Sequence, residues 1–193
     1  MSTTLRWTTA DLDLFPDPLD DTRYEIIDGE LYVSRQPSVE HQYTCNEIAG
    51  ELRAWSAASS RGVTFPAPGI IFATDDNVAP DVVWVSMERL SRIVGPDGKL
   101  HAAPELVVEV LSPGDKNEHR DRAAKLSLYS RQGVEEYWIV DWQAHQVDVY
   151  QHLPQEMILQ HVATLGPDDT LESSLLPGFG VRIGTLFFPT PLR

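Results

Sequence analysis

The stretch Glu105–Ser112, which reads Glu-Leu-Val-Val-Glu-Val-Leu-Ser, places an acidic residue, Glu109, inside an otherwise apolar run. A continuous run of Val and Leu of this length predicts a β-strand that is buried on both faces of a sheet. A buried carboxylate costs free energy unless it is paired with a cation or bound to a metal. The sequence therefore predicts a central strand in which Glu109 has a charged partner.

Two further segments supply candidate partners for Glu109. A second β-rich run, predicted as one strand over Val78–Val85, carries Asp81. If this strand pairs with the central one, both carboxylates reach the same edge of the sheet. Lys125 falls in a helix predicted over Glu118–Gln132, at the border of its apolar, sheet-facing side. A lysine turned toward a core is unusual, so we expect it to point at the carboxylate pair.

Two carboxylates and a lysine at one sheet edge are typical of metal-dependent phosphodiester hydrolysis. Asp81 and Glu109 would give a divalent ion, Mg²⁺ or Mn²⁺, two hard oxygen ligands, and the carbonyl of Val110 is a candidate third ligand. Such an ion can polarise a phosphate and generate hydroxide near neutral pH. Lys125 would orient the attacking water or stabilise charge in the transition state.

Composition limits the other possibilities. The chain has 193 residues, enough for one domain with a sizeable core, and its 15 basic and 29 acidic residues give a net charge of −14. That charge argues against a nucleic-acid coat protein and counts against DNA as substrate, although an enzyme that recruits divalent cations is compatible with it. A single cysteine, Cys45, excludes an intrachain disulfide and a thiolate zinc cage. No signal peptide or membrane span is predicted, so we expect a cytoplasmic protein.

The remaining elements follow from periodicity and turn residues. Asp28-Gly29 predicts a tight hairpin turn within Tyr24–Ser34, and a helix is expected from about Ser38 to Ser59. Asp75-Asp76-Asn77 predicts a turn. Further strands are predicted at 62–65, 69–73, 136–142, 146–153 and 156–165, with short helical turns at 11–15 and 87–93 and a tail at 183–187. Together they predict one α/β domain with a mixed sheet.

Several polar residues leave alternatives open. His41 fits a core or capping residue as well as an accessory role near a metal, and Glu25 and Glu30 are more often solvated hairpin acids than ligands. Basic residues around the second helix could contact phosphates or form helix salt bridges with Glu118 and Asp121. These basic residues are Lys116, Arg120, Arg122 and Arg131.

A set of short motifs occurs in an order that resembles a known family. They are Tyr24–Leu31, Pro37-Ser38 with His41, Ala79–Val85, Pro104–Pro113, and Lys125 with Tyr129 and Gly133–Asp141. Each motif alone is weak, but together they resemble the Uma family, a bacterial group of restriction-endonuclease-like proteins. The resemblance covers roughly residues 23–150. Residues 1–22 would then be an N-terminal extension and 151–193 C-terminal strands and a tail, within a single domain over 1–193.

The resemblance implies the PD-(D/E)XK nuclease fold, an α/β fold with a central mixed β-sheet flanked by helices. It also implies that Asp81 is the motif aspartate and Glu109 the motif acid. The chain departs from the superfamily pattern at the third position, which is Leu111 rather than lysine. In the Uma-like pattern the lysine has moved to the following helix, at Lys125.

The sequence thus predicts a Mg²⁺- or Mn²⁺-dependent nuclease with nucleic acid, expected to be DNA, as its substrate. The alternative is a catalytically inactive nucleic-acid-binding or protein-interaction module that keeps the fold. The acidic balance and Leu111 favour that alternative. The sequence does not distinguish DNA from RNA, and association as a homodimer is left open.

Overall fold

In the computed structural model, residues 5–15 and 22–189 are described, with the side chains of residues 115 and 116 excepted. Among the described helices, none combines the length and the apolar character that crossing a bilayer requires. The strands are β1 Arg23–Ile27, β2 Glu30–Ser34, β3 Gly62–Pro66, β4 Ile70–Ala73, β5 Asp76–Val78, β6 Val82–Ser86, β7 Leu106–Val110, β8 Glu136–Asp141, β9 Gln146–Gln151, β10 Gln160–Leu165, β11 Thr170–Glu172 and β12 Gly180–Arg182. The helices are α1 Val39–Ser59, α2 Met87–Ile93, α3 Asp115–His119 and α4 Leu126–Gln132, with a π-helical segment at Arg120–Lys125 and 3₁₀ turns at Thr9–Leu14 and Ile183–Leu186.

A six-stranded mixed sheet forms the centre of the molecule. Its strand order is β10-β9-β8-β7-β6-β3, in which β7 and β8 are parallel and the other neighbours are antiparallel. A smaller sheet, β2-β1-β5-β4, and a β11-β12 pair complete the strands. The central strand predicted from Glu105–Ser112 is confirmed, because β7 lies inside the large sheet with all five residues buried.

Both faces of this sheet are covered, which explains the continuous apolar sequence of β7. On one face Val108 and Val110 pack with Ile48 and Leu52 of α1. On the other face Val107 packs with Leu128 and with the smaller sheet. Successive side chains of a strand alternate between faces, so Glu109 points to the same side as Val107, toward the segment that carries Lys125.

Local signals in the sequence account for the first hairpin and for the ends of two helices. The β1–β2 hairpin turns at Asp28 and Gly29, which both have positive φ, as a two-residue turn of this type requires. The Ser38 side chain accepts a hydrogen bond from the backbone N–H of His41 and caps α1. Gly133 ends α4 in the left-handed conformation. The predicted hairpin turn and the predicted start of α1 near Ser38 are confirmed.

Other predicted boundaries were wrong. The strand predicted over Val78–Val85 is two strands in different sheets, β5 and β6, because Ala79-Pro80 separates them and proline has no N–H to give to a ladder. The turn predicted at Asp75–Asn77 lies at Thr74-Asp75, since Asp76 is buried in β5 and its carboxylate binds Arg131.

The helix predicted over Glu118–Gln132 begins earlier, at Asp115, and is interrupted by the π-helical segment. Strands β9 and β10 are shorter than predicted, and β11 and β12 were not predicted. The predicted N-terminal extension is described only at 5–15 and 22; residues 1–4, 16–21 and 190–193 lie outside the described residues.

Candidate active site

Strand pairing brings the two predicted carboxylates to the same edge of the large sheet. Strands β6 and β7 run antiparallel with Val82 opposite Val108, so Asp81, just before β6, lies beside Glu109 near the end of β7. The backbone N–H of Val110 donates a hydrogen bond to Asp81 Oδ2 at 2.9 Å. This bond fixes the aspartate side chain against β7, and both carboxylates are buried.

Lys125 crosses the buried side of its helical segment and ends at the carboxylates. Its Nζ lies 2.8 Å from Glu109 Oε1, 2.9 Å from Glu25 Oε1 and 3.7 Å from Asp121 Oδ1, and the residue is only 1% exposed. The Tyr129 hydroxyl donates a second hydrogen bond, of 2.8 Å, to Glu109 Oε1. The side chain therefore turns toward the acids, as its sequence position indicated, and it is held there by three carboxylates.

The environment of Glu25 differs from the one expected from the sequence. It is 1% exposed, contacts Lys125 and accepts a hydrogen bond from the backbone N–H of Ala79 at 2.9 Å. The expectation of a solvated hairpin acid is therefore wrong for Glu25, although Glu30 is exposed. A usable signal was present, because Glu25 and the apolar Ile27 lie two positions apart and share one face of β1.

The basic residues after β7 are already engaged in ion pairs. Arg120 is buried and binds Asp121, with Nε 2.8 Å from Oδ1, while its Nη1 lies 3.6 Å from Glu25 Oε2. Arg122 pairs with Asp148 at 2.6 Å rather than with Glu118. Of the two alternatives for these arginines, the structure favours ion pairs over a phosphate-binding patch, and the side chain of Lys116 lies outside the described residues.

His41 contacts both the Asp81 side chain and the backbone of β7. Its Nε2 lies 2.9 Å from the carbonyl oxygen of Val110 and 3.5 Å from Asp81 Oδ2, and its Nδ1 lies 3.5 Å from Cys45 Sγ. One donor atom each from His41, Cys45 and Asp81 lies within 4.8 Å of the others. The sulfur and the carboxylate face different ring nitrogens, however, so these residues form a hydrogen-bonded chain rather than a preformed thiolate metal site.

The acids of the site differ in their affinity for protons. Burial raises the pKa of Glu109 to about 8, with the nearby charges of Asp81, Asp121 and Glu25 acting in the same direction and that of Lys125 opposing them. Burial also acts to raise the pKa of Asp81, but the hydrogen bond and charge of His41, with Lys125 and the Val110 N–H, bring it down to about 2.

The charged groups around Lys125 also shift the pKa values of Glu25 and of Lys125 itself. The charges of Lys125 and Arg120 outweigh burial and lower the pKa of Glu25. Burial would lower the pKa of Lys125, but the charges of Glu109, Glu25 and Asp121 raise it. The lysine thus stays charged, and Glu109 is the carboxyl group that holds a proton near neutral pH.

The donor set suits a hard divalent cation. Four buried carboxylates, of Glu25, Asp81, Glu109 and Asp121, face two buried cations, Lys125 and Arg120. The two buried cations therefore leave two negative charges when all four acids are ionised, and the half-buried Arg23 lies 3.3 Å from one of these acids, Asp81. Asp81, Glu109 and Val110 line a cavity of about 40 Å³, which we call the central cavity and which exceeds the roughly 10–15 Å³ needed for one water. Oxygen donors around such a space match the preference of Mg²⁺ and Mn²⁺.

Comparison with known proteins identifies the family of the chain. The sequence model of the Uma2 family, described as "Putative restriction endonuclease", matches residues 10–184. The chain belongs to the Uma2 family. The predicted family is therefore confirmed.

A solved structure shows the same fold. It is described as "a putative nuclease belonging to DUF820 from Anabaena variabilis ATCC 29413", and it superposes with a TM-score of 0.71 at 20% sequence identity. The match covers 93% of this chain and 97% of that one. The predicted restriction-endonuclease-like fold, a central mixed sheet with flanking helices, is thereby confirmed. No curated protein matches the chain.

Proposed function

We propose that this Uma2 protein is a Mg²⁺- or Mn²⁺-dependent nuclease that hydrolyses phosphodiester bonds of nucleic acid, with DNA as the expected substrate. The observation that carries the proposal is the fully buried Lys125, whose Nζ lies 2.8 Å from Glu109 at a cavity that Asp81 also lines. Burying a lysine costs free energy, and a buried lysine hydrogen-bonded to an acid on a central strand, with a second acid alongside, is the kind of perturbed cluster that occurs at catalytic sites.

Each residue has a distinct role in this proposal. Asp81 and Glu109 would hold the metal, with the carbonyl of Val110 as a third ligand if His41 releases it. The bound ion would polarise the phosphate and lower the pKa of a bound water. Lys125 keeps Glu109 in place and puts a fixed positive charge at the floor of the central cavity. There it would orient the attacking water or stabilise negative charge on a phosphate oxygen.

A cleavage assay tests the proposal. Purified protein is incubated with plasmid, single-stranded DNA and RNA in Mn²⁺, Mg²⁺ or EDTA, alongside Glu109→Gln and the control Glu136→Gln. Glu136 is a buried acid at the start of β8, and β8 runs parallel to β7, so it lies at the opposite edge of the sheet. Metal-dependent cleavage by wild type and Glu136→Gln, lost in Glu109→Gln, supports the nuclease. Equal cleavage by Glu109→Gln would refute the site.

Testing the role of Lys125 requires a variant that keeps the net charge of the buried cluster unchanged. Lys125→Met alone would leave three buried carboxylates facing each other, so loss of activity could reflect unfolding. The double variant Lys125→Met/Glu25→Gln removes one charge of each sign and leaves Asp81 and Glu109 intact, and Glu25→Gln alone is its control. We expect the double variant to keep Mn²⁺-dependent thermal stabilisation but to cleave ~10²-fold or more slowly than Glu25→Gln. Equal rates would remove Lys125 from the mechanism.

The alternative is a module that keeps the fold without catalysis and binds nucleic acid or protein. Leu111, which stands where the superfamily motif has lysine, and the net charge of −14 favour it. No cleavage of any polymer under any metal condition would select this alternative. A single domain, a cytoplasmic location and a homodimer remain predictions, and light scattering of the purified chain tests the last of these.

A further inference from the structure

Unpaired cations are few in this acidic protein. Among the residues that the structure describes, most arginine and lysine side chains bind an acidic partner, including Arg89, Arg120, Arg122, Lys125 and Arg131. Four exposed side chains have no ion-pair partner within the described part of the chain: Arg35, Arg53, Arg61 and Lys99. Arg23 is half-buried, and its Nη1 lies 3.3 Å from Asp81 Oδ1 and donates a hydrogen bond of 3.0 Å to the carbonyl oxygen of Ala79.

Three of these cations line one continuous cleft. The central cavity shares Arg35, Pro37 and Ser112 with a groove of about 420 Å³, which we call the loop-side groove. It shares Arg23 and Asp81 with a second groove, of about 240 Å³, which we call the helix-side groove. Arg35 therefore lines the central cavity and the loop-side groove, Arg23 lines the central cavity and the helix-side groove, and Arg53 lines the helix-side groove. Such an arrangement concentrates positive charge at the cleft of a protein that is otherwise negative.

One face of α1 forms the wall of the helix-side groove. Gln42, Asn46, Gly50 and Arg53 follow each other at helical spacing and all line it. Gly50 lies within a long helix, where glycine costs roughly 1 kcal/mol relative to alanine. A β-carbon at this position would meet no atom within 4 Å, so packing in the protein does not require glycine there. The missing side chain leaves room for a ligand to approach the helix backbone closely.

The chemistry of the cleft indicates which part of a nucleic acid it would contact. Taken together, the linings of the three cavities contain Arg, Gln, Asn, Ser and Pro side chains beside the acids Glu25, Asp81 and Glu109 but, within the described residues, no Phe, Tyr or Trp. Single-strand binding proteins hold successive bases on aromatic side chains, and this cleft has no such surface. Guanidinium and amide groups without aromatic neighbours suit the phosphates and sugars of a backbone.

We propose that Arg35, Arg23 and Arg53, with the Gln42–Arg53 face of α1, form a track that holds the phosphate backbone of a nucleic-acid duplex across the active site. The proposal rests on the nuclease function above and specifies its substrate as double-stranded. It also explains how a chain with a net charge of −14 can bind a polyanion, since Arg35 and Arg53 have no acidic partner among the described residues.

Binding measurements with a matched charge control test the track. Fluorescence anisotropy is measured with a labelled duplex and with its single strand, in EDTA and, on a Glu109→Gln background, in Mn²⁺, over a range of salt concentrations. The variants are Arg35→Gln/Arg53→Gln and the control Arg61→Gln/Lys99→Gln, which removes the same two charges from exposed, unpaired side chains outside the cleft. All four side chains are exposed, so both variants should melt like wild type.

We expect the cleft variant to bind duplex on the order of ten-fold or more weakly than the control. Its slope of log affinity against log salt should fall by roughly two, about one unit for each lost phosphate contact. Gly50→Leu adds bulk without charge, and it should weaken duplex binding without lowering the melting temperature.

Three results would overturn the track: equal affinities of the cleft and control variants, tighter binding of the single strand than of the duplex, or no duplex binding by wild type even at low salt. The outcome is separable from that of the cleavage assay. Duplex binding that depends on Arg35 and Arg53 without any cleavage would refute the nuclease and keep the track. Cleavage by wild type together with unchanged duplex binding by Arg35→Gln/Arg53→Gln would refute the track and keep the nuclease.

Discussion

Replacing Glu109 with glutamine should change how the stability of the metal-free protein depends on pH. In the folded protein the pKa of Glu109 is about 8, against an ordinary value of 4.5, because the carboxyl group is buried beside other acids. Between those two pH values the unfolded chain ionises Glu109 while the folded chain keeps it protonated. This residue's contribution to stability is therefore fully present below about pH 4.5 and is lost as the pH rises through about 8.

The size of the effect follows from the shift. Each pKa unit corresponds to about 1.4 kcal/mol, so the wild-type free energy of unfolding should fall by roughly 4 kcal/mol between pH 5 and pH 9, with most of the fall below pH 8. The glutamine side chain of the variant cannot ionise, but its oxygen can still accept the hydrogen bonds that Lys125 and Tyr129 donate to Glu109 Oε1. The Glu109→Gln protein should therefore lack this slope and become the more stable protein at alkaline pH.

Urea unfolding in EDTA at a series of pH values measures the difference between the two proteins. Glu172→Gln is a suitable control, because Glu172 is exposed. The free energy of unfolding of this variant should depend on pH in the same way as that of wild type. A difference between wild type and Glu109→Gln that stays constant from pH 5 to pH 9 would refute the reasoning. It would mean that Glu109 is already ionised at pH 5, as in an ordinary salt bridge with Lys125.

Three further changes have expected outcomes. Because the pKa of Asp81 is about 2, its contribution is present above its ordinary value of 3.8 and is lost as the pH falls through 2. Asp81→Asn should therefore lose less stability than wild type in that range, measured by circular dichroism, and identical acid transitions would contradict this. Lys125→Met should lower the free energy of unfolding by roughly 3–5 kcal/mol at neutral pH, since it leaves buried carboxylates unpaired. Adding Glu25→Gln should recover part of that loss in urea melts, and no recovery would argue against the charge cluster. Gly50→Ala should raise the free energy of unfolding by about 0.5–1 kcal/mol, because its new methyl group meets open space, and any loss would show that α1 needs glycine.

Residue periodicity predicted those parts of the fold that depend on local patterns. The central strand, the Asp28-Gly29 hairpin and α1 each have a signal contained within a few neighbouring residues. The pairing of Asp81 with Glu109 could also be anticipated, because two acid-bearing strands that pair must present their acids at an edge. Periodicity did not predict the break at Pro80, where one apolar stretch of sequence forms strands in two different sheets.

The residues whose burial was predicted wrongly are buried by contacts between segments far apart in the chain. Glu25 and Arg120 look like surface residues in their own segments, yet they lie 3.6 Å apart beside Lys125. Arg120 and Lys125 are five positions apart, which in a regular α-helix separates two side chains by about 140° around the axis. The π-helical segment, whose hydrogen bonds span five residues, brings both onto the buried face.

That segment lets the same side-chain arrangement be built with two different chain lengths. A π turn amounts to one additional residue accommodated within a helix, and Ala123 is the exposed, small residue within it. Removing a single alanine there would restore regular α-helical bonding. Arg120 and Lys125 would then be four positions apart, which in a regular α-helix separates their side chains by about 40° and keeps both on one face. A related chain could thus build the same cluster with one residue fewer between the arginine and the lysine, so spacings of four and of five residues should both be considered when such sequences are aligned.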